Sequence, residues 1–460
     1  MATTLKTDYL VVGAGAMGMA FTDALIDNAD VSVTIIDRRH RAGGHWLDAY
    51  PFVRLHLSSS FYGVASTLLG DGRNQTNGPE AGWQERASGS EVCAYYVRVM
   101  ERLTNSGKVH FYPNCEYLGR GQFVSLVSGE QYQMAAGART VIGHYLSPDI
   151  PACTKAPFRI RDDARVIPVN DLVRLPGAPS QFVIVGSGKT ATDACIWLLG
   201  NGVDPDKICW VRPRDPWMFD RAAWQPDPAV YFGMSADIME AAASASTAEE
   251  MFFRMEEAGI MLRLDPSVTP TMAKLPTVAR WEVDELRSVE NVVRLGHVQA
   301  VTQGRIWCAE GEVATAEDAV VVHCAASGLQ YPPLEPVWGP EAITLQLIGN
   351  GLPCFGAALA GFVEATRDAD DEKNRVCPPC PYPSTTADFG RMQVLADNAS
   401  AAWSNQSDIE AWANQTTLNP ARIPSERAND ADVQKAVHRF QTHAESGLAR
   451  LAEMSSRKEP

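Results

Sequence analysis

The sequence predicts an α/β protein built around two copies of a parallel β-α-β fold, with a helical region at its C-terminal end. The first copy opens with the apolar run from Tyr9 to Val12, which leads into the glycine-rich stretch 13–18. A second stretch of this kind follows the apolar run 182–185. A strand that passes through closely spaced glycines into a helix is typical of doubly wound folds. From residue 388 onward the apolar spacing favours helices.

The first glycine-rich turn has the pattern of a dinucleotide site. Gly13 suits the tight turn, Gly15 lets the backbone approach a pyrophosphate, and Gly18 lets the helix pack on the strand. Free N–H groups at the helix start favour an anion. Asp37 ends the next strand, where a carboxylate can accept hydrogen bonds from ribose hydroxyls. The predicted contacts are Gly13, Ala14, Gly15, Ala16, Met17, Gly18 and Asp37. A glycine-rich turn without a ligand is the alternative.

Composition narrows the class of protein. A chain of 460 residues, with 45% hydrophobic and 21% charged residues, is expected to form two or three ordinary globular domains. The formal net charge of -15 argues against nucleic acid or an anionic membrane as the main partner. Apolar runs stay below the roughly 18 residues of a membrane span, and the first strand leaves no room for a signal peptide. We therefore expect a cytoplasmic protein with buried cysteine thiols.

The segment after Asp37 carries a more specific pattern. Arg38 follows the acid, Gly43 and Gly44 come next, and Trp46 stands nine positions after Asp37. Paired glycines let backbone approach a ring system, and a tryptophan supplies a flat apolar wall, although simple core packing of Trp46 is an alternative. At these residues the chain resembles the flavin-containing and Baeyer-Villiger monooxygenases. The resemblance implies that the segment binds FAD, with Arg38, Gly44, His45 and Trp46 among the contacts.

The chain then departs from that family pattern. Baeyer-Villiger enzymes carry an aspartate shortly after a Tyr-Pro pair, whereas this chain has His56 after Tyr50. His56 is a candidate proton donor or hydrogen-bond partner beside the flavin, and Arg54 is a second catalytic candidate. A histidine satisfied by a backbone carbonyl is the alternative. The stretch 158–168 also lacks the glycine and histidine typical of flavin-containing monooxygenases, which indicates a divergent branch.

The second turn repeats the first, with Ala191 in the third small position. Its predicted dinucleotide contacts are Gly186, Ser187, Gly188, Lys189 and Thr190. The strand that follows ends in Arg212 and Arg214 without an acid, and arginine suits the ribose phosphate of NADPH. Solvated loop arginines are the alternative. Two folds of this kind imply two dinucleotides.

The resemblance also implies how the two folds are connected. In similar flavoproteins a strand ending in Ala-Thr-Gly rejoins the FAD domain, and Ala326, Ser327 and Gly328 form a close variant, with Ser327 and Gly328 as FAD contacts. The NADPH domain is then inserted in the FAD domain. The predicted segments are 1–160 (FAD domain), 161–320 (NADPH domain), 321–390 (FAD domain again) and 391–460 (helical).

Three stretches keep more than one interpretation. The loop 70–89 is a lid or a disordered segment, and the helical stretch 235–291 covers the site, supports it or forms a dimer surface. Cys377 and Cys380 have redox or metal spacing, but no second pair is near, so no metal site is predicted. Near the end, Ser407 and Glu410 have the spacing of a capping box.

The implied activity is that of a FAD-dependent monooxygenase. It would use NADPH and O2 to insert one oxygen atom into a small organic substrate through a flavin hydroperoxide. One alternative is a FAD- and NADPH-dependent reductase or dehydrogenase that inserts no oxygen. Another is a non-catalytic flavoprotein that acts as a sensor or scaffold. A homo-oligomer is compatible with each of the three interpretations.

Overall fold

The computed structural model describes residues 2–161, 163–326, 328–349 and 352–456. The strands are β1 Thr3–Leu5, β2 Tyr9–Val12, β3 Val33–Asp37, β4 Gly63–Val64, β5 Thr67–Leu68, β6 Val109–Pro113, β7 Cys115–Gly119, β8 Gln122–Ser125, β9 Gln131–Met134, β10 Arg139–Ile142, β11 Arg159–Ile160, β12 Val166–Pro168, β13 Phe182–Val185, β14 Ile208–Val211, β15 Met218–Asp220, β16 Met261–Leu262, β17 Thr277–Val278, β18 Val292–Val293, β19 Val298–Thr302, β20 Arg305–Cys308, β21 Gly311–Ala314, β22 Val320–His323, β23 Ala342–Thr344, β24 Leu347–Ile348 and β25 Pro379–Cys380. The helices are α1 Ala16–Asn28, α2 Gly89–Asn105, α3 Lys189–Gly200, α4 Pro228–Ser244, α5 Ala248–Glu257, α6 Arg280–Arg287, α7 Pro353–Thr366, α8 Asp370–Val376, α9 Thr386–Ser404, α10 Ser407–Gln415 and α11 Ala431–Ser456.

The first fold is a five-stranded parallel sheet in the order β23-β10-β2-β3-β6. Its central strands are apolar and buried on both faces, as expected for parallel sheets. Val11 and Ile35 share one core with helices α1, α2 and α7, whereas Leu10 and Ile36 belong to a core with the small sheet β1-β9-β8-β7. The alternation follows from the two-residue period of a strand.

The second fold repeats this plan. Its parallel sheet has the order β12-β22-β13-β14-β18, with a small sheet β11-β19-β20-β21 as a further layer. Helices α3 and α6 cover one face through Ala194 and Val283, and the small sheet covers the other through Val301 and Ile306. Strands β12 to β22 fall between β10 and β23 of the first sheet along the chain. The predicted α/β fold with one domain inserted in the other is thus confirmed.

A third core joins the helical stretch of the second fold to the C-terminal helices. Methionine and aromatic side chains of α4, α5, α9 and α11 fill this core, among them Met239, Phe252 and Phe389. Helix α11 crosses α4 closely at Gly447, where a Cβ would lie 2.8 Å from the carbonyl oxygen of Met239. The predicted helical C-terminal region is confirmed. Whether 235–291 covers the site or forms a dimer surface stays a prediction.

Two helix starts differ from the sequence interpretation. Helix α4 begins at Pro228, earlier than predicted, because the Asp227 carboxylate accepts hydrogen bonds from the first-turn N–H groups. The capping box assigned to Ser407 and Glu410 is wrong, since Gln406 occupies the N-cap position of α10. Among the described residues, no helix is long and apolar enough to cross a bilayer.

Gly361 provides a test of the contact between α1 and α7. A Cβ at this position would overlap the carbonyl oxygen of Phe21 and lie 3.2 Å from the Cβ of Ala24. We expect Gly361→Ala to lower the free energy of unfolding by about 1–3 kcal/mol, because backbone atoms cannot move aside locally. Urea denaturation measures this. Gly233→Ala, in α4 with open space around it, is the matched control and is expected to be neutral or stabilising. Equal stability of both variants would contradict the prediction.

Candidate functional site

The two glycine-rich turns have the same backbone geometry. Gly15 precedes α1 with φ -88° and ψ -173°, and Gly188 precedes α3 with φ -82° and ψ -176°. Gly13 and Gly186 have φ of 110° and 134°, a region that favours glycine. Within the described part of the chain, no side chain caps either helix. In α3 the N–H of Ala191 donates to the carbonyl oxygen of Gly188 at 3.0 Å, and the N–H groups before it, like those at the start of α1, suit an anion.

The first turn forms a narrow cradle of backbone atoms. Gly15 faces Gly44, where a Cβ would lie 2.8 Å from the Cα of Gly15, and the N–H of Gly43 donates to the carbonyl oxygen of Ala14 at 2.9 Å. A Cβ at Gly18 would overlap the carbonyl oxygen of Gly13. Ala16 and Met17 form the first turn of α1. Side chains at 15 or 44 would fill the cradle, so the residues present fit a pyrophosphate.

Asp37 lies at the carboxyl end of β3, beside this cradle. Its Oδ2 accepts from the N–H of Ala14 at 2.7 Å and its Oδ1 from the N–H of Arg39 at 2.8 Å, and the residue is buried. Each oxygen retains a lone pair for a ribose hydroxyl. The Arg38 side chain is mostly exposed, with its Nε 3.7 Å from Glu116. The cofactor roles of both residues stay predictions.

The segment that follows Gly44 connects the two folds. Its 3-10 helix, Gly44–Asp48, carries His45 stacked on Trp46 with ring centroids 5.2 Å apart. A cavity of about 330 Å³ lies between this segment and the start of α2, lined by Trp46, Tyr50, Arg41 and Cys93 among others. Further on, Phe52 stacks on Trp197 of α3 at 5.0 Å. The segment that resembles a flavin-binding motif is therefore docked on the second fold.

A hydrogen-bonded group completes this docking. The Tyr50 hydroxyl donates to Oδ2 of Asp193 at 2.6 Å, and the ammonium of Lys189 pairs with the same carboxylate. Burial, followed by the charge of Asp193, raises the pKa of Tyr50 well above its ordinary value. Lys189, a predicted NADPH contact in the second turn, is thus held within the protein. Ser187 and Thr190 flank it in the same turn.

The catalytic candidates His56 and Arg54 occupy different surroundings. His56 is half-buried, and burial, followed by the positive charges of Lys189, Arg221 and Arg86, lowers the pKa of its imidazole well below the ordinary value. The ring is therefore neutral at neutral pH and can form hydrogen bonds through one N–H and one lone pair. Arg54 is exposed and donates to the carbonyl oxygen of Arg86 at 3.0 Å.

The two predicted phosphate-binding arginines differ in exposure. Arg212 is buried, with its guanidinium 4.6 Å above the Trp210 ring and 3.3 Å from Asp215, and its Nε lacks a partner among the described residues. Arg214 is exposed. Burial, followed by the charge of Arg214, lowers the pKa of Lys274, whose ammonium lies 4.9 Å from the centre of the Tyr331 ring. Sequence reasoning missed Lys274, because no motif surrounds it.

The remaining candidates are placed as follows. Ser327 lies outside the described residues. The carbonyl oxygen of Gly328 accepts from the N–H of Asp149 at 3.3 Å. Cys377 and Cys380 are separate buried thiols, and burial raises the pKa of Cys380 to about 11. Among the described residues, no group of three His, Cys, Asp or Glu side chains is arranged to hold a metal ion.

His45 predicts a pH dependence of stability. Burial, followed by the charge of Arg39, lowers the pKa of its imidazole to about 4, against 6.5 in an unfolded chain. Between pH 6.5 and 4 the unfolded chain binds a proton that the native state does not, so stability falls as the pH falls through this range. We expect His45→Gln to lose less stability than the wild type between pH 7 and pH 5. Urea denaturation at pH 7 and at pH 5 measures the loss of stability of each protein. Equal losses in His45→Gln and in the wild type would contradict the assignment of this pH dependence to His45.

Several known proteins are similar to this chain. Residues 11–51 match the model of the family described as NAD(P)-binding Rossmann-like domain. The solved structures similar to the chain include an oxidized steroid monooxygenase bound to NADP, with a TM-score of 0.49, 12% identity and coverage of 96% of this chain and 98% of the other. Another is a bacillithiol disulfide reductase from Staphylococcus aureus, with a TM-score of 0.44, 12% identity and coverage of 79% and 98%.

The chain combines two dinucleotide-binding folds, one inserted in the other, and a segment with paired glycines and a tryptophan joins them. The chain is 39% identical over 422 residues to the uncharacterized protein Rv2000 of Mycobacterium tuberculosis, covering 91% of this chain and 78% of the relative. The protein belongs to the same family as Rv2000.

Proposed function

We propose that the protein is a FAD-dependent monooxygenase that uses NADPH and O2 to insert one oxygen atom into a small organic substrate. The observation that carries the proposal is the docking of the segment after Gly44 on the second turn through Tyr50 and Asp193, 2.6 Å apart. This contact brings the chain region that resembles a flavin site next to a second dinucleotide site. Such a neighbourhood suits hydride transfer between two bound cofactors.

The first turn supplies the residues for FAD. The N–H groups at the start of α1 and the cradle of Gly15 and Gly44 suit its pyrophosphate, and Asp37 suits its ribose. Trp46 and His45 would border its ring system. When bound, FAD supplies the capacity to accept hydride from NADPH and to react with O2.

The second turn supplies the residues for NADPH. The N–H groups at the start of α3 suit the pyrophosphate, and the exposed Arg214, with Lys274 nearby, suits a ribose phosphate. His56 presents a neutral imidazole at the junction of the two folds, where Lys189 affects its pKa. Its role is to hold a hydrogen bond to a cofactor or substrate there, without adding a charge.

The test uses the purified full-length protein with its bound flavin. Under anaerobic conditions NADPH is expected to bleach the flavin absorbance faster than NADH does. The reduced protein is then mixed with methyl phenyl sulfide and ¹⁸O2 in the presence of catalase, and a sulfoxide carrying ¹⁸O would support oxygen insertion. Bleaching by NADPH without oxygen uptake favours the reductase interpretation. Failure of NADPH to bleach the flavin contradicts both and favours a sensor.

A further inference from the structure

His56 lies on a segment whose position is set by groups from outside the first fold. Its carbonyl oxygen accepts two hydrogen bonds, one from Nε of Arg221 at 3.0 Å and one from Oγ1 of Thr277 at 2.6 Å. Arg221 follows β15 and Thr277 begins β17, so both belong to the inserted second fold. Two donors satisfy both lone pairs of that carbonyl oxygen.

The guanidinium of Arg221 reaches three other segments as well. Its side chain is 3% exposed, and Nη1 donates to Glu80 at 2.6 Å while Nη2 lies 2.8 Å from Glu282. Nη2 also donates to the carbonyl oxygen of Thr277 at 3.3 Å. The loop 70–89, helix α6 and strand β17 therefore meet the His56 segment at one side chain. A planar fork of five N–H donors is suited to this, and an ammonium is not.

Arg221, Glu80 and Glu282 form a cluster, and Glu80, which belongs to the loop 70–89, has further hydrogen-bond partners. Glu80 accepts two hydrogen bonds from Arg86, at 2.8 and 3.1 Å, and one from the indole N–H of Trp281 at 3.4 Å. Arg86 in turn donates to the carbonyl oxygen of Leu55, the residue before His56, at 2.9 Å. The segment and the loop thus run side by side, which gives the loop an ordered supporting position.

Charge balance explains why this cluster can exist in a buried place. Arg221 and Arg86 are matched by Glu80 and Glu282, so the buried charges cancel. Buried ion pairs contribute little net stability, because desolvation offsets their attraction, but they can fix one arrangement. The His56 segment, the loop 70–89, helix α6 and strand β17 meet at this cluster. A buried ion-pair cluster suits such a place, because the four segments have to pack in a single arrangement.

We propose that Arg221 is a positioning residue that fixes the His56 segment of the first fold against the inserted second fold through its shared contacts with Glu80 and Glu282. This inference rests on the proposed function, in which His56 forms a hydrogen bond to a cofactor or substrate where the two folds meet. A fixed backbone at His56 keeps that hydrogen bond in one geometry. The proposed role of Arg221 requires no contact with either cofactor. It acts through the backbone of His56.

The test compares Arg221→Lys with Arg254→Lys in the intact protein labelled with ¹⁵N-histidine. Lysine keeps the charge but cannot reach three partners at once. Arg254 forms an exposed ion pair with Glu250 at 2.7 Å on α5 of the inserted region, and serves as the matched control. We expect the imidazole signals of His56, assigned with His56→Gln, to shift in Arg221→Lys and to stay in place in Arg254→Lys.

The kinetic readout is flavin reduction by NADPH. We expect Arg221→Lys to reduce its limiting rate about 10- to 100-fold, because a misplacement near 1 Å has effects of that size. The NADPH concentration at half-maximal rate should change less than about twofold, since the phosphate-binding residues are untouched. If Arg221 had a purely structural role, Arg221→Lys would lower the stability of the protein. It would not lower the limiting rate while leaving the half-saturating NADPH concentration nearly unchanged.

Unchanged His56 signals in Arg221→Lys would overturn the inference, whatever the activity of the protein. Absence of flavin reduction by NADPH in the wild type would overturn the proposed function instead, and the signals would still decide the role of Arg221. Should Arg221→Lys fail to fold, Thr277→Val removes one of the two donors to the His56 carbonyl with little change in shape. The same shift of the His56 signals is then expected, and its absence counts against the inference.

Discussion

Gly18→Ala is expected to give a folded protein that purifies without FAD. The added Cβ would overlap the carbonyl oxygen of Gly13, and it would also lie 3.2 Å from a side-chain carbon of Val11. A backbone carbonyl in the turn cannot move without moving the turn itself. The N–H groups at the start of α1 would then point away from the pyrophosphate. We expect FAD affinity to fall at least 100-fold, about 3 kcal/mol, which flavin absorbance and equilibrium dialysis measure.

Two other glycines make this prediction specific. At Gly188 a Cβ meets open space within the protein, so Gly188→Ala should retain FAD and weaken only NADPH, whose backbone cradle it enters. Gly177 has open space as well and lies outside both turns, so Gly177→Ala should match the wild type in both cofactors. Stoichiometric FAD in purified Gly18→Ala would show that the first turn does not hold the flavin.

The parts of the fold that the sequence predicts are the local ones. The turns at Gly13 and Gly186 are predictable because a strand, a left-handed glycine and a helix follow each other within a dozen residues. The start of α4 was placed too late by the sequence analysis, although Asp227 followed by Pro228 is a local helix-start signal. Duplication of the turn then predicted two sheets of the same kind.

The parts that escaped prediction depend on contacts between distant segments. Nothing in the sequence near His56 indicates that Arg221 and Thr277 hold its carbonyl oxygen, because those residues lie far along the chain. Burial of Arg212 was equally hidden. An arginine at a strand end has the same local sequence whether it faces solvent or pairs with Asp215, three positions later.

Arg214→Gln is expected to remove most of the preference for NADPH over NADH. Arg214 is the exposed member of the arginine pair, and its charge lies close enough to Lys274 to lower the pKa of that ammonium. An exposed guanidinium can bind a ribose phosphate through charge-assisted hydrogen bonds. Loss of one charge-assisted hydrogen bond, about 1.5–3 kcal/mol, should raise the KM for NADPH about 10- to 100-fold.

The NADH values decide whether this effect is specific for the phosphate. NADH carries no ribose phosphate, so its KM should be nearly the same in Arg214→Gln and in the wild type. Arg305→Gln changes a partly exposed arginine that pairs with Glu312 on the small sheet, and it should leave both KM values unchanged. If Arg212→Gln altered the NADPH preference and Arg214→Gln did not, the buried arginine would be the phosphate ligand. Its guanidinium would then have to leave Asp215 and Trp210 when NADPH binds, and a change in indole fluorescence on NADPH addition would report that movement.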